Sequence, residues 1–315
     1  MATRILSIDG GGIRGVIPAM VLTQLEERSG KPVAEFFDVV AGTSTGGILA
    51  LGLICPGAEG RPRYSAQDMV DLYAQEGETI FPSRRFAILR QLHDEKYSAE
   101  GLEEVLKRKL GDARLKDALT DVLVTSYDIG RRQPLFFRSV RAKDEPEEHD
   151  FAMRDVARAT SAAPTYFEPA RLPAKPPHPA YTLVDGGVFA NNPAMCALVD
   201  RSTVGDGQDE PTMVSLGTGV LTRSLSYEDA KHWGLIGWGR HVLDIVFDGV
   251  SDTVDYQLAT LLGERYLRLQ TDLDKASDDL DDAGEDNVDQ LKLEGEDVIK
   301  DNAAALERLC ERLSG

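Results

Sequence analysis

Three apolar stretches of this chain end in glycine-rich turns, and this arrangement limits the possible folds more than any other feature. RILSID precedes GGGIRG at residues 4–15, FFDVVAG precedes TSTGG at 36–47, and YTLVD precedes GG at 181–187. Helix-like segments follow the first two turns, and strands that alternate with helices are typical of an α/β protein. We therefore predict a three-layer sandwich, with a mostly parallel central sheet and helices on both faces. Ligands of such sheets bind at the carboxyl ends of the strands, so the turns should share one edge.

The remaining chain fits a single domain that spans residues 1–315. Two strand-like stretches, 121–129 and 134–140, are joined by GRRQ and predict a hairpin, while TMVSL at 212–216 predicts another buried strand. We place the core at about residues 4–269, followed by an acidic segment and a C-terminal helix in 270–315. Apolar residues at helical spacing predict that one helix spans 287–313.

Composition excludes several classes of function. The chain has 315 residues, 42% of them hydrophobic, and a formal net charge of -18. Nucleic acid is an improbable partner, because binding to phosphates requires a basic surface. No apolar leader follows Met1, and Cys55, Cys196 and Cys310 have no metal-site spacing, so we expect a cytoplasmic protein. The longest uncharged stretch, residues 39–58, contains too many turn residues for a membrane span and fits a buried strand, turn and helix.

Much of the negative charge lies in residues 272–290. Counted as a calcium-binding EF-hand loop from Asp272, this stretch has Ser277 in place of the required glycine and Ala283 in place of the terminal glutamate. We therefore expect a solvated loop here, and we predict neither a metal nor a cofactor for the chain.

The first glycine turn matches a dinucleotide-binding pattern. Gly10, Gly12 and Gly15 have the G-x-G-x-x-G spacing that holds a pyrophosphate at the start of a helix. A dinucleotide site also needs an acidic residue at the end of the second strand, to hold a ribose hydroxyl. That strand ends in Gly42, Thr43 and Ser44 instead, so a dinucleotide site is disfavoured.

The second turn carries the G-x-S-x-G pattern at Gly42, Ser44 and Gly46. In a sharp strand–turn–helix connection, this pattern raises a serine hydroxyl above the edge of the sheet as a nucleophile. A tight turn with a helix-capping serine is the alternative.

A nucleophilic serine needs a base, and the chain offers two kinds. Asp185 follows the apolar YTLV stretch and would lie at a strand end, although aspartate is also common there as an Asx-turn residue. His232 and His241 are the histidines that remain candidates for a Ser–His triad, because the other histidines lie in polar or proline-rich stretches.

Several segments taken together resemble the patatin-like phospholipase family. These are DGGGIRG, FFDVVAGTSTGG, ATSAAPTYFEP, DGGVFANNP and SLGTG, and the resemblance extends over about residues 4–269. It is closest to the plant-patatin-like branch, including its bacterial relatives. The resemblance implies a patatin-like fold and a lipid acyl hydrolase of the phospholipase A or lysophospholipase type. It also implies a Ser–Asp dyad in which Ser44 is the nucleophile and Asp185 is the general base.

The resemblance gives the first glycine turn a different role. It implies that the backbone amides of Gly10, Gly11 and Gly12 bind the oxyanion formed during ester cleavage. Arg14 would brace this loop or add positive potential, or else it is a surface residue of the first helical turn. Asp9 is expected to hold the turn. Glycines that permit the tight turns complete the predicted site: Gly15, Gly42, Gly46, Gly186 and Gly187.

A phospholipid substrate implies peripheral, transient contact with a membrane. Residues 83–92 combine arginines with apolar side chains, and HWGLIGWGRH at 232–241 contains Trp233 and Trp238, so either stretch would form a lid or docking patch, or else a helix packed against the core. Because the chain is strongly acidic, we expect weak spontaneous binding to anionic bilayers, with an activator or oligomerisation as possible aids. Two alternatives stay open: a His-dependent serine esterase acting on small esters, and a non-catalytic storage or binding protein of the same fold.

Overall fold

The computed structural model describes residues 3–82, 97–204, 210–221 and 224–314. The strands within these ranges form one eight-stranded mixed sheet. They are β1 (Arg4–Ile8), β2 (Val39–Gly42), β3 (Asp121–Asp128), β4 (Gln133–Arg138), β5 (Ala170–Leu172), β6 (Tyr181–Asp185), β7 (Thr212–Leu216) and β8 (Tyr266–Leu269). Their order across the sheet is β5-β6-β3-β2-β1-β7-β8, and β4 pairs with β3.

The centre of the sheet is parallel, and one side of it is antiparallel. Strands β3, β2, β1, β7 and β8 run in the same direction, with Ile8 of β1 beside both Gly42 and Leu216. The predicted hairpin of β3 and β4 is confirmed, and β6 also runs antiparallel to β3. The turns after β1 and β2 therefore lie side by side at one edge of the sheet.

The third turn reaches that edge by a different route from the one expected. Strand β3 continues past Val124, which pairs with Gly42, and β6 returns antiparallel along this extension. As a result Asp185, the last residue of β6, pairs with Ser126, only two positions beyond Val124. An antiparallel strand thus brings its own carboxyl end down to the carboxyl edge of the parallel strands.

Helices cover both faces of the sheet. They are α1 (Val16–Ser29), α2 (Thr45–Leu53), α3 (Ala66–Ile80), α4 (Glu100–Leu110), α5 (Ser139–Asp144), α6 (Pro146–His149), α7 (Met153–Thr160), α8 (Gly187–Ala190), α9 (Ala194–Val204), α10 (Tyr227–Ala230), α11 (Leu235–Leu262), α12 (Glu285–Asp301) and α13 (Ala303–Ser314). The single helix predicted for 287–313 is therefore wrong. The first helix ends at Asp301 and the second begins at Ala303. Between them lies Asn302, whose Nδ2 donates to the Val298 carbonyl 2.9 Å away.

Alternate residues of the central strands bury against different helices. Leu6 and Ile8 belong to a large core that includes residues of α1, α2, α3, α4 and α7. Ile5 and Ala41 point to the other face, where they pack with residues of α9 and α11. This division into two cores confirms the predicted layers. Within the described ranges, no helix is both long enough and apolar enough to cross a bilayer.

Candidate active site

Ser44 lies between β2 and α2 on a strained turn. Its backbone has φ 55° and ψ -124°, which is unusual for a residue with a side chain. The turn is tight because a Cβ added to Gly42 would lie 2.2 Å from the Gly46 carbonyl, and one added to Gly46 would lie 2.2 Å from the Ile8 carbonyl. Ser44 is partly exposed, and its hydroxyl makes no capping hydrogen bond to α2, so the helix-capping alternative has no support.

A residue that the sequence analysis did not single out holds this turn. The backbone amide of Ser44 donates to Thr160 Oγ1 at the end of α7, over 2.8 Å. Thr160 is completely buried, so the bond is protected from water. The only sequence signal for Thr160 was that it lies in ATSAAPTYFEP, one of the segments that carry the family resemblance. The contact itself could not be predicted, because it joins residues that are 116 positions apart.

Asp185 is fully buried at the end of β6. Its Oδ1 accepts the Gly187 amide over 2.7 Å, as in an Asx turn, whereas its Oδ2 has no hydrogen-bond partner among the described residues. Burial raises the pKa of Asp185 to about 7, and the nearby Ser44 hydroxyl and the Gly187 amide oppose that rise. This carboxylate can therefore take part in a turn and still accept a proton near neutral pH.

Of the three backbone amides predicted to bind an oxyanion in the glycine loop after β1, two have no hydrogen-bond partner among the described residues. The Gly10 amide donates to the Asn191 carbonyl over 3.0 Å. No hydrogen bond of the Gly11 or Gly12 amide occurs within the described part of the chain. Gly12 has φ +59°, and a Cβ there would lie 2.0 Å from the Leu280 carbonyl, so only glycine fits.

Arg14 is buried rather than exposed, which contradicts the surface alternative. Its Nε donates to the Gly11 carbonyl over 3.3 Å, so the side chain braces the glycine loop. Burial lowers the pKa of the guanidinium, and the nearby carboxylates of Asp248 and Asp244 oppose that change. The Nη1 of Arg14 has no hydrogen-bond partner among the described residues.

Asp9 is held by an arginine that the sequence analysis missed. Arg268 Nη2 donates to Asp9 Oδ2 over 2.6 Å, and Arg268 Nη1 donates to Ser215 Oγ over 2.8 Å. Burial raises the pKa of Asp9, and the charge of Arg268 opposes the rise. The ion pair joins β8 to the residue that precedes the glycine loop.

The other predicted glycines lie where neighbouring groups come too close for a side chain. A Cβ on Gly15 would lie 2.4 Å from Thr45 Oγ1, and one on Gly186 would lie 2.1 Å from Thr125 Oγ1. A Cβ on Gly187 would lie 2.9 Å from the ring of Phe247. These contacts pack the turns against their neighbours.

Ser44 and Asp185 line the same pocket, whose empty space, including the part open to solvent, is about 520 Å³. Most of its other walls are apolar side chains from α2, α3, α4, α11 and the segments that follow α3, α7 and β8. They include Ile48, Ile80, Phe81, Leu102, Phe167, Phe247 and Leu280. The site thus combines a nucleophile, a carboxylate and space for a hydrocarbon chain. Residues 83–92, the first predicted docking patch, lie outside the described residues.

Neither candidate histidine is among the residues that line the pocket. His232 is exposed, and His241 is half-buried, with its ring stacked 4.3 Å from that of Trp233. The geometry therefore offers no support for a Ser–His triad.

One group of described residues has metal-ligand atoms close together. Glu145, Glu148 and His149 bring one such atom each within 4.8 Å of one another, at the end of α5 and in α6. Both glutamates are exposed, exposed acidic groups are common without an ion, and none of the three residues lines the pocket. We assign no metal to them.

The fold and the pocket define an α/β protein with a serine on a strand–helix turn beside a buried carboxylate. The family model for patatin-like phospholipases matches residues 6–198, and the chain belongs to that family. That membership supports a lipid acyl hydrolase activity in general.

Relatives extend the similarity over almost the whole chain. Patatin-like protein 2 of Oryza sativa subsp. indica is 33% identical, covering 96% of this chain and 85% of the relative. Patatin-like protein 2 of Arabidopsis thaliana is 35% identical, covering 94% and 82%. Patatin-11 of Solanum tuberosum is 32% identical, covering 94% and 83%. The similarity thus includes the C-terminal segment, which lies beyond the resemblance found in the sequence analysis.

Proposed function

We propose that this protein hydrolyses fatty-acyl esters of phospholipids, as a phospholipase A or lysophospholipase that uses a Ser44–Asp185 dyad. One observation carries the proposal: the strained, accessible Ser44 and the buried Asp185 line the same apolar pocket. The pKa of Asp185, raised to about 7 by burial, suits a general base that works near neutral pH.

In the acylation step, Ser44 Oγ attacks the acyl carbonyl while Asp185 takes the hydroxyl proton. The carbonyl oxygen becomes a tetrahedral oxyanion, and its collapse breaks the ester bond. Asp185 returns the proton to the departing alcohol oxygen, which leaves an acyl-Ser44 ester. The apolar pocket holds the acyl chain during both steps.

The oxyanion needs hydrogen-bond donors that are in place before the reaction. The Gly11 and Gly12 amides have this role in our proposal, since the Gly10 amide is already bonded to the Asn191 carbonyl. Arg14 supports them through the Gly11 carbonyl and adds positive charge behind the loop.

Deacylation repeats the chemistry with water. Asp185 removes a proton from a water molecule, which attacks the acyl carbonyl and forms a second oxyanion. Collapse of this intermediate returns the proton to Ser44 Oγ and releases the fatty acid. The dyad is then ready for another substrate, with no cofactor consumed.

A lipid substrate requires contact with a lipid surface, and α11 offers a face for it. Trp238, Val242 and Ile245 recur at helical spacing, and all three are exposed. The same helix places Phe247 in the acyl pocket. We propose that this face touches the membrane, and that neutral or zwitterionic lipid is preferred because the chain carries a net charge of -18.

Trp238→Ser should weaken sedimentation with phosphatidylcholine vesicles but leave hydrolysis of a soluble ester unchanged. Unchanged sedimentation would contradict this contact.

Hydrolysis of a soluble short-chain ester and of phosphatidylcholine tests the dyad. Ser44→Ala and Asp185→Asn should each reduce kcat on the order of 10⁴-fold or more, because nucleophile and base act as a unit. His232→Ala and His241→Ala should keep the parent's activity. Full activity of Asp185→Asn would refute the dyad, a loss in either histidine variant would favour the triad, and an inert parent chain would favour a binding protein.

A further inference from the structure

The acidic stretch after β8 is only in part the solvated loop expected from sequence, because Asp272, Asp274 and Asp279 are exposed but other residues are not. Leu280, Asp281 and Ala283 are buried, and Leu280 lines the catalytic pocket. The Tyr97 hydroxyl donates to Asp281 Oδ2 over 2.5 Å. Residues 272–284, which we call the 272–284 segment, are therefore part of the wall of the site.

This segment contacts the glycine loop directly. The Leu280 carbonyl accepts the Ile13 amide over 2.9 Å, next to the two amides proposed to bind the oxyanion. The carbonyl also lies so close to Gly12 that a Cβ there would be 2.0 Å away. The position of Leu280 thus limits where the Gly12 amide can point.

Two buried side chains of α12 hold the 272–284 segment in place. Glu294 Oε1 accepts the amides of Asp274 and Lys275, over 3.1 and 2.7 Å. Asn287 Oδ1 accepts the Ser277 amide over 2.7 Å, and its Nδ2 donates to the Asp282 carbonyl over 2.7 Å. Asn287 therefore bridges the two sides of Leu280.

Helix α12 is itself a firm support. Glu294 and Asn287 are seven residues apart, which places them on one face of the helix, two turns from each other. The next residue, Gly295, packs so closely on α1 that a Cβ would lie 2.8 Å from Met20 Sδ. The 272–284 segment is thus fixed to the helix that follows the glycine loop.

We propose that Asn287 and Glu294 are positioning residues for the oxyanion loop, and that they act through the 272–284 segment and the Leu280 carbonyl. The inference rests on the proposed hydrolase function. A displacement of about 1 Å in such donors can lower a rate about 100-fold, so loosening this support should affect catalysis more than substrate binding.

The main test compares Asn287→Leu with Asn302→Leu. Asn302 also lies next to α12 and also makes a side-chain hydrogen bond to a backbone carbonyl, but it is bonded to Val298 and not to the 272–284 segment. With a soluble short-chain ester, Asn287→Leu should lower kcat about 10- to 100-fold with little change in KM, whereas Asn302→Leu should keep the parent's kcat. Equal kcat values for the two variants, at equal folded fractions, would overturn the proposal.

A second pair of variants separates positioning from folding. Glu294→Gln retains an acceptor for the two backbone amides and should keep most of the activity, whereas Glu294→Leu removes it and should behave like Asn287→Leu. If Glu294→Leu does not fold, the asparagine pair still decides the question.

Hydrogen exchange of the Ile13 amide provides a readout that does not depend on activity. Its bond to Leu280 should slow exchange in the parent chain, and Asn287→Leu should speed exchange more than Asn302→Leu does. Equal exchange would overturn the proposal, as would faster exchange with an unchanged kcat. If the parent chain hydrolyses no ester, the proposed function fails, and the exchange result still shows whether Asn287 holds the loop.

Discussion

The two turns that meet at the edge of the sheet are built in different ways. The turn at Ser44 is shaped largely by its own residues, since Gly42 and Gly46 lie in contact within five positions of sequence. The glycine loop depends on distant partners: Asn191 and Thr218 are 181 and 208 positions from Gly10, and Arg268 is 259 positions from Asp9. The proposed nucleophile is therefore placed mainly by local geometry, with one distant contact from Thr160, whereas the proposed oxyanion donors are placed by the folding of the rest of the chain.

The largest expected effect breaks the glycine loop without touching the Ser44 turn. Gly12→Ala combines an unfavourable φ of +59° with a Cβ 2.0 Å from the Leu280 carbonyl, so it should displace the donors and lower kcat about 100- to 1000-fold. Gly30→Ala is the matched control, because Gly30 has φ +69° with open space around it. It should lose only about 1 kcal/mol of stability and no activity, as measured by ester hydrolysis and thermal unfolding. A similar kcat for both variants would show that the loop does not need its distant contact.

A loss of stability is expected when the long-range ion pair is broken. Arg268→Met leaves the buried Asp9 carboxylate without its partner, which should reduce the free energy of unfolding by about 3–5 kcal/mol. Denaturant unfolding measures this loss, and Asp9→Asn combined with Arg268→Met should recover part of it. Lys292→Met, which removes the exposed ion pair with Asp289, is the control and should change stability by less than about 1 kcal/mol. Equal losses in the two methionine variants would mean that the buried pair has no special role in holding the loop.

The third prediction concerns the contribution of Asp185 to stability, which depends on pH. The pKa of Asp185 rises from 3.8 to about 7 on folding, so between these pH values the folded chain binds more protons than the unfolded chain. Its contribution to stability therefore falls as pH rises from about 4 to about 7. Asp185→Asn removes this fall, so the variant should gain on the parent by up to about 1.4 kcal/mol per pH unit in that window. Parallel stability curves from urea unfolding at pH 5 to 8 would contradict the raised pKa.

The same contrast explains what the sequence could predict. The Ser44 turn, the β3–β4 hairpin and the layers of the fold follow from local patterns of glycine and apolar residues. Arg268, Thr160 and the 272–284 segment could not be found this way, because their roles depend on pairings across the fold. The buried part of the acidic stretch was missed for a related reason. Its charges indicated solvent, whereas Glu294 and Asn287 fold its backbone around the buried Leu280.

The central claim, that Asp185 activates Ser44, is tested most directly by the rate at which a fluorophosphonate labels Ser44 as a function of pH. We predict labelling at Ser44 with a rate that rises through a single ionisation near pH 7, and a much slower rate without this ionisation in Asp185→Asn. Labelling at another residue, or an Asp185→Asn protein that reacts at the parent's rate with the same pH dependence, would contradict the dyad.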